Sequence, residues 1–428
     1  MSDQPKLRPE TLVIHAGAQP DPVTKARVTP IYQTTSYVFD DADHAAALFN
    51  LEAPGNIYSR LGNPTAGVLE ARLAELEGGA AALAVASGHA AQLLVFHTLL
   101  EPGCNIVASR KLYGGSITQL SQSFKRMGWG VTFVEEMEPS AFAAAIDDKT
   151  RAVFIESVAN PGGVVMDIAG IAQAAHAAGV PLVVDNTLAT PYLCRPLDHG
   201  ADIVVHSLTK FLGGHGNSIG GAIVDGGRFD WAASGRWANL SAPNPAYHGK
   251  VFTDAFGPAA FIVACRAVGL RDLGPAISPF NAFMILTGIE TLALRMERHC
   301  ENALKVAQWL KAHPKVAWVS YAGLADDPNH ARAQRYTPKG PGAVFTFGLK
   351  GGFEAGVKLV GGLKLFSHLA NIGDTRSLVI HPASTTHRQL EEADQIGAGA
   401  GPDVVRLSVG LEHIDDILAD LKQALAAV

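Results

Sequence analysis

The chain has 428 residues, 48% of them hydrophobic and 17% charged, with 44 glycines and 24 prolines scattered along it. This length exceeds the roughly 250–300 residues at which a single core stops growing, so two domains are expected, and the composition excludes a disordered or collagen-like chain. A formal net charge of −6 leaves no electrostatic footprint for nucleic acid or an anionic membrane surface, which points to small-molecule substrates.

Residues 1 to 65 have weak periodicity and are rich in proline and aromatic residues, as in Pro30-Ile-Tyr-Gln-Thr-Thr-Ser-Tyr-Val-Phe39 and Ile57-Tyr-Ser-Arg-Leu-Gly-Asn-Pro-Thr65. Such a segment cannot bury itself alone, so it is expected to be an arm packed on another surface, including another subunit's. The first ten residues are polar and lack an apolar h-region, and no later run reaches 18 apolar residues free of charge or turn signals. Cys104, Cys194, Cys265 and Cys300 form no CxxC pair, so neither a zinc site nor a disulfide framework is expected, and a reducing, cytoplasmic setting fits.

From Thr65 onward, helical segments alternate with short apolar runs, the signature of βαβ units and a parallel sheet. The runs are Ala81–Ser87, Cys104–Ser109, Gly130–Val134, Arg151–Glu156, Pro181–Asp185, Ala201–His206 and Gly220–Asp225, with covering helices such as Val68–Leu76 and Ile168–Ala178 between them. This gives an α/β fold with a mostly parallel central sheet and helices on both faces, over residues 66–282. A long helix from about Phe283 to Ala312 leads into a smaller α/β domain, residues 283–428. Its strands are predicted near Val316–Tyr321, Ala343–Gly348, Ser377–His381 and Val404–Val409, and its closing helix near His413–Ala427.

Ligands of open parallel sheets bind beyond the carboxyl ends of the strands, so the polar residues just after each run form a candidate site. Ser87-Gly88-His89 precedes a helix and offers free N–H groups and a positive dipole end to an anion such as phosphate. Asp185 ends a strand that is otherwise wholly apolar, and with too few ligands nearby for a metal it is better matched by an organic cation. Lys210 has no other charged residue between Asp202 and Asp225; Ser207 and Thr209 precede it, and Gly213, Gly214 and Gly216 follow it. Burial disfavours a charged lysine, and a neutral amine at a strand end suggests a Schiff base. An anion nest, a carboxylate for a protonated ring nitrogen and an imine-forming lysine together match pyridoxal 5'-phosphate. Competing fingerprints are missing: Gly214-His-Gly216 and Gly340-Pro-Gly342 both fail at the third glycine of GxGxxG, and neither a GxxxxGK[ST] nor an HExxH motif occurs. A nicotinamide enzyme and a metal hydrolase are disfavoured on that ground, and a non-catalytic scaffold is expected to have lost Lys210 or Asp185.

These residues lie in segments that resemble the Cys/Met-metabolism pyridoxal phosphate enzymes of fold type I. The carrying motifs are Tyr58-Ser-Arg-Leu-Gly-Asn-Pro-Thr65, Ala86-Ser-Gly88, Leu112-Tyr-Gly-Gly115, Glu156-Ser-Val-Ala-Asn-Pro161, Val183-Val-Asp-Asn-Thr187, Ala201–Gly216, Asn371–Pro382 and Arg406–Glu412. The resemblance implies that Lys210 binds the cofactor covalently, Asp185 pairs its ring nitrogen, Tyr113 stacks on the ring and Asn160 contacts its phenolic oxygen. It further implies that Ser87, Gly88, His89, Ser207 and Thr209 hold the phosphate with Tyr58 and Arg60 of a neighbouring subunit, and that Arg406 with the Ser377 region and Asn160 binds the substrate carboxylate. Lys210, with Tyr113 and Tyr58, would carry the proton transfers, no metal is implied, and a homotetramer built as a dimer of dimers is expected. His89 stands where the family commonly has Met or Gln, and Gly115 where some γ-lyases have Cys. Within the family, Asn371–His387 and Pro243–Gly249 are similar to the O-acetylhomoserine sulfhydrylases, implying γ-replacement by sulfide to give homocysteine and acetate. Cystathionine γ-synthase, O-succinylhomoserine sulfhydrylase and γ-lyase activities share every cofactor residue and stay open as alternatives, as does the acyl donor.

Overall fold

A computed structural model describes residues 7–386, 388, 389, 391, 395, 396 and 399–428. His387, the end of one resemblance motif, and the first six residues of the arm lie outside the described residues.

The apolar runs form a seven-stranded sheet of β1 (Ala81–Val85), β2 (Asn105–Ser109), β3 (Gly130–Val134), β4 (Thr150–Glu156), β5 (Leu182–Asp185), β6 (Ile203–Ser207) and β7 (Gly221–Asp225), in the order β1-β7-β6-β5-β4-β2-β3. Pairing from β3 through β2, β4 and β5 to β6 is parallel, while β7 runs antiparallel to both β6 and β1. Apart from the half-exposed edge strand β3, the strands read as continuous hydrophobic runs because both faces are covered. Ile155, Val184 and Val204 face a core with Ile168 and Ile171, and Phe154, Val183 and Val205 face the opposite core with Leu94, Val95 and Phe96.

Beyond the sheet, the periodic segment predicted as one helix is divided into Pro279–Glu290 and Leu292–Lys311, meeting at Thr291. The division has a tertiary cause. Arg295 of the second helix donates to the carbonyl of Gly288 in the first, at 2.7 Å, and to the carbonyls of Phe211 (2.7 Å) and Leu212 (3.2 Å) just after Lys210.

The second sheet contains β8 (Val316–Ser320), β9 (Val344–Leu349), β10 (Ser367–His368), β11 (Leu378–Ile380) and β12 (Val404–Ser408) in the order β10-β11-β12-β9-β8, closed by the helix Ile414–Ala427. The short β10 and the helix Gly352–Gly362 have no counterpart in the sequence reading. Among the described residues, one helical run, Phe252–Leu273, is long and apolar enough to match a membrane span. It is built from short pieces around Gly257-Pro258, and its Phe252, Phe261, Ala264 and Cys265 are buried in the core beside Leu94 and Val95.

Candidate active site

The parallel strands β1, β2, β4, β5 and β6 deliver their polar residues at the same edge. Past β1, Ser87 caps the helix Gly88–Leu99 by accepting from the N–H of Ala90 at 3.1 Å, so the N–H groups of Gly88 and His89 are left without intrahelical acceptors. The glycine is sterically required, since a Cβ on residue 88 would lie 2.9 Å from that of Ser207 at the end of β6. Three residues beyond, Lys210 enters a turn closed by Gly213 N–H to Leu208 O (2.9 Å) and Gly214 N–H to Lys210 O (2.7 Å). Gly373, at φ +74°, packs against the Lys210 backbone from the smaller sheet's side; a Cβ there would lie 2.6 Å from the Phe211 nitrogen.

These ends enclose a cavity of about 250 Å³ lined by Ser87, Gly88, His89, Tyr113, Asn160, Asp185, Ser207, Thr209, Lys210 and Arg406. All ten were singled out from sequence. Three others are not brought there. Tyr58 and Arg60 lie outside the lining, with the guanidinium 5.5 Å from the Tyr58 ring centroid and hydrogen bonded to the carbonyl of Arg271. Ser377 is fully buried away from the cavity, its hydroxyl and N–H both given to Glu412, at 2.9 and 2.7 Å. That pairing corrects the expectation for Ser377: a hydroxyl already donated to a carboxylate is not presented to a ligand.

Several lining residues had no role in the sequence reading: Gln92, Ser116, Glu156, Thr187 and Asn371. Glu156 carried the same signal as Asp185, a carboxylate closing an apolar run. Gln92 lies one turn after Gly88 and donates to Ser116 (3.0 Å) and Asp185 (3.4 Å). Asn371 accepts from Lys210 through its side-chain oxygen and from Arg406 through its carbonyl, the latter at 3.2 Å, and so ties the two cations of the site together. Arg406 also donates to Asn160 Oδ1 at 3.1 Å. Gly115 leaves room for the Tyr113 ring, because a Cβ there would lie 2.4 Å from it.

The electrostatics are those of a site built for a charged organic ligand. Burial, reinforced by the positive charge of Arg406, lowers the Lys210 amine to a pKa of about 8. Burial likewise draws Arg406 down to about 10. Burial and the neighbouring Asp185 push the Glu156 carboxyl well above its ordinary value. Among the described residues neither Glu156 nor Asp185 has a cationic side chain at ion-pair distance, and Arg406 has no carboxylate. The cavity therefore offers carboxyls without a cationic partner, a guanidinium without a carboxylate, an anion nest and a readily deprotonated amine. A protonated pyridine ring bearing a phosphate and an aldehyde matches all of these groups.

Known proteins point the same way. The chain is 56% identical to an O-acetyl-L-homoserine sulfhydrylase of Leptospira meyeri, over 98% of its own length and 97% of that protein. It is also 56% identical to O-acetyl-L-homoserine sulfhydrylase 1 of Thermus thermophilus, over 98% of the chain and 100% of the relative. The structure superposes at a TM-score of 0.94, with 40% identity, on a crystal structure of a Campylobacter jejuni protein described as a candidate O-acetylhomoserine (thiol)-lyase, with N'-pyridoxyl-lysine-5'-monophosphate, covering 98% of this chain and 100% of that one. With residues 10–426 matching its family, the chain belongs to the Cys/Met metabolism PLP-dependent enzymes.

Proposed function

We propose that the protein catalyses γ-replacement on O-acetyl-L-homoserine with sulfide, giving L-homocysteine and acetate. The observation that carries this reading is the Lys210 amine, lowered to about 8 within one cavity that also holds Asp185 and Arg406. The reaction's specificity is supported by the names of the Leptospira and Thermus relatives.

Pyridoxal phosphate would be held by the N–H groups of Gly88 and His89 with Ser87, Ser207 and Thr209 at its phosphate, by Asp185 at its ring nitrogen, by Asn160 at its phenolic oxygen, by Tyr113 against its ring and by Lys210 at its aldehyde. The Thr209 hydroxyl also exchanges hydrogen bonds with Gly220, at 3.1 and 3.2 Å, which orients it. When bound, the cofactor supplies an electron sink for charge developing on the substrate carbons. Arg406 binds the amino-acid carboxylate through its planar fork. Lys210 Nζ takes the Cα proton and returns it at the end of the cycle, acting as general base and then acid. Loss of a second proton, at Cβ, lets acetate leave Cγ and hydrosulfide bond there, with Tyr113 or Tyr58 orienting the transfers. A hollow of about 610 Å³ lies beside the cavity, shares Tyr113, Asn160 and Arg406 with it, and would admit these reactants.

Tyr58 and Arg60 would complete a neighbouring subunit's phosphate site, within a cytoplasmic homotetramer of two dimers. The exposure of apolar arm residues, 96% at Val38 and 86% at Val23, supports their being covered by another subunit. Assays in parallel with O-acetyl-, O-succinyl- and O-phosphohomoserine, each with sulfide, with cysteine and with no nucleophile, test the reaction. Homocysteine from the acetyl ester and sulfide is expected to form fastest. Faster cystathionine formation, or a faster keto acid release without nucleophile, overturns the assignment.

A further inference from the structure

Glu156 is a buried carboxyl, 3% exposed, for which the reaction has no task as written above. A side chain so placed is costly unless its hydrogen bonds are met, and an apolar residue would fill a strand end at less cost. Its two oxygens are both engaged, and by the main chain. Oε1 accepts from the N–H of Tyr113 at 2.6 Å, and Oε2 from the N–H of Asn160 at 2.9 Å. Tyr113 lies on the loop that follows β2 and Asn160 on the loop that follows β4, and these strands are neighbours in the sheet. One carboxylate therefore spans two loops, holding their backbones while leaving both side chains directed to the cavity that they line.

Glu156 is also the register partner of Asp185 on β5, so the two side chains leave neighbouring strands on one face, from backbones about 4.8 Å apart. Two neighbouring anions repel, and a cation at Asp185 offsets that repulsion. A protonated ring nitrogen at Asp185 thus favours the ionised form of Glu156, which burial and Asp185 alone oppose. We propose that Glu156 is a positioning residue of the cofactor site, clamping the Tyr113 and Asn160 loops in the arrangement that the ring requires. This inference rests on the cofactor assignment of Asp185, Tyr113 and Asn160 made above.

Glu156→Gln separates the clamp from simple space filling. The amide keeps the volume but presents an NH₂ to one of the two N–H groups, so one half of the clamp becomes donor against donor. The cofactor-free protein is expected to melt within a few degrees of the parent, while pyridoxal phosphate binds about tenfold to a hundredfold more weakly, as measured by fluorescence titration. The visible circular dichroism of the bound cofactor, which reports how the ring is seated, is expected to lose much of its intensity. Affinity within twofold of the parent together with an unchanged visible spectrum overturns the proposal. Should Glu156→Gln not fold without cofactor, Glu156→Asp, too short to reach both N–H groups, is judged by the same two readouts. No substrate enters the measurement, so its failure leaves the assigned reaction standing, and failure of that reaction leaves the binding result unaffected.

Discussion

At pH 7 a lysine of pKa about 8 has roughly one amine in ten unprotonated, against roughly one in a few thousand for a solvated side chain. Lys210 owes that advantage first to burial and second to Arg406, both of which penalise its charged form. Because the shift is downward, the neutral amine gains population as pH rises and saturates above the lowered value. Capture of pyridoxal phosphate by the cofactor-free protein, followed by absorbance, is therefore expected to accelerate up to pH about 8 and then level off; a rise continuing unchanged to pH 10 would contradict it. Lys210→Ala is expected to lose the visible absorbance of lysine-bound cofactor and at least about a thousandfold in turnover, and near-normal turnover would remove Lys210 from the proposed role. Ser87, Asp185 and Lys210 were legible because each is a polar side chain that interrupts an apolar run where a parallel sheet opens. Ser377 was not, since the direction of its hydroxyl is settled by Glu412, which is distant along the chain and reaches it only in the folded smaller sheet.

Strands were the most readable elements, because a run covered on both faces must be apolar at every position. Their order was not readable: the insertion of β7 between β1 and β6, antiparallel to both, follows from packing and leaves no trace in periodicity. The break at Thr291 is of the same kind. Hydrophobic spacing carries through it, and only the approach of the first helix to the Lys210 turn shows why the helix is divided. At the contact, a Cβ on Gly288 would lie 2.0 Å from the Gly213 carbonyl oxygen. Gly288→Ala is expected to cost roughly 1–3 kcal/mol in denaturant unfolding and to reduce activity, since the overpacking falls on the lysine's own turn. Gly361, exposed in the helix Gly352–Gly362 with nothing within 4 Å of a built Cβ, is the control: its change to Ala is expected to be neutral or to add up to about 1 kcal/mol. Equal losses at both positions would show that the Gly288 contact has no special weight.

For the molecule as a whole, the arm decides whether a site belongs to one chain. Tyr58 and Arg60 lie away from their own chain's cavity, yet the family resemblance gives them a phosphate to hold. If neighbouring subunits exchange these residues, Lys210→Ala and Arg60→Ala proteins, each impaired, form hybrids in which one site carries both changes and the other neither. Mixing them under subunit exchange is expected to restore activity to roughly a quarter of the parent, the share set by random pairing in two-fold assemblies. No recovery after verified exchange argues against sharing. The sequence by itself determined the chemistry, because an anion nest, a carboxylate and an amine at strand ends are properties of residue type and local pattern. Tertiary structure alone decided which other groups join them. Glu156, Gln92 and Asn371 reach the cavity, and Ser377 does not, through pairings between elements that periodicity cannot encode.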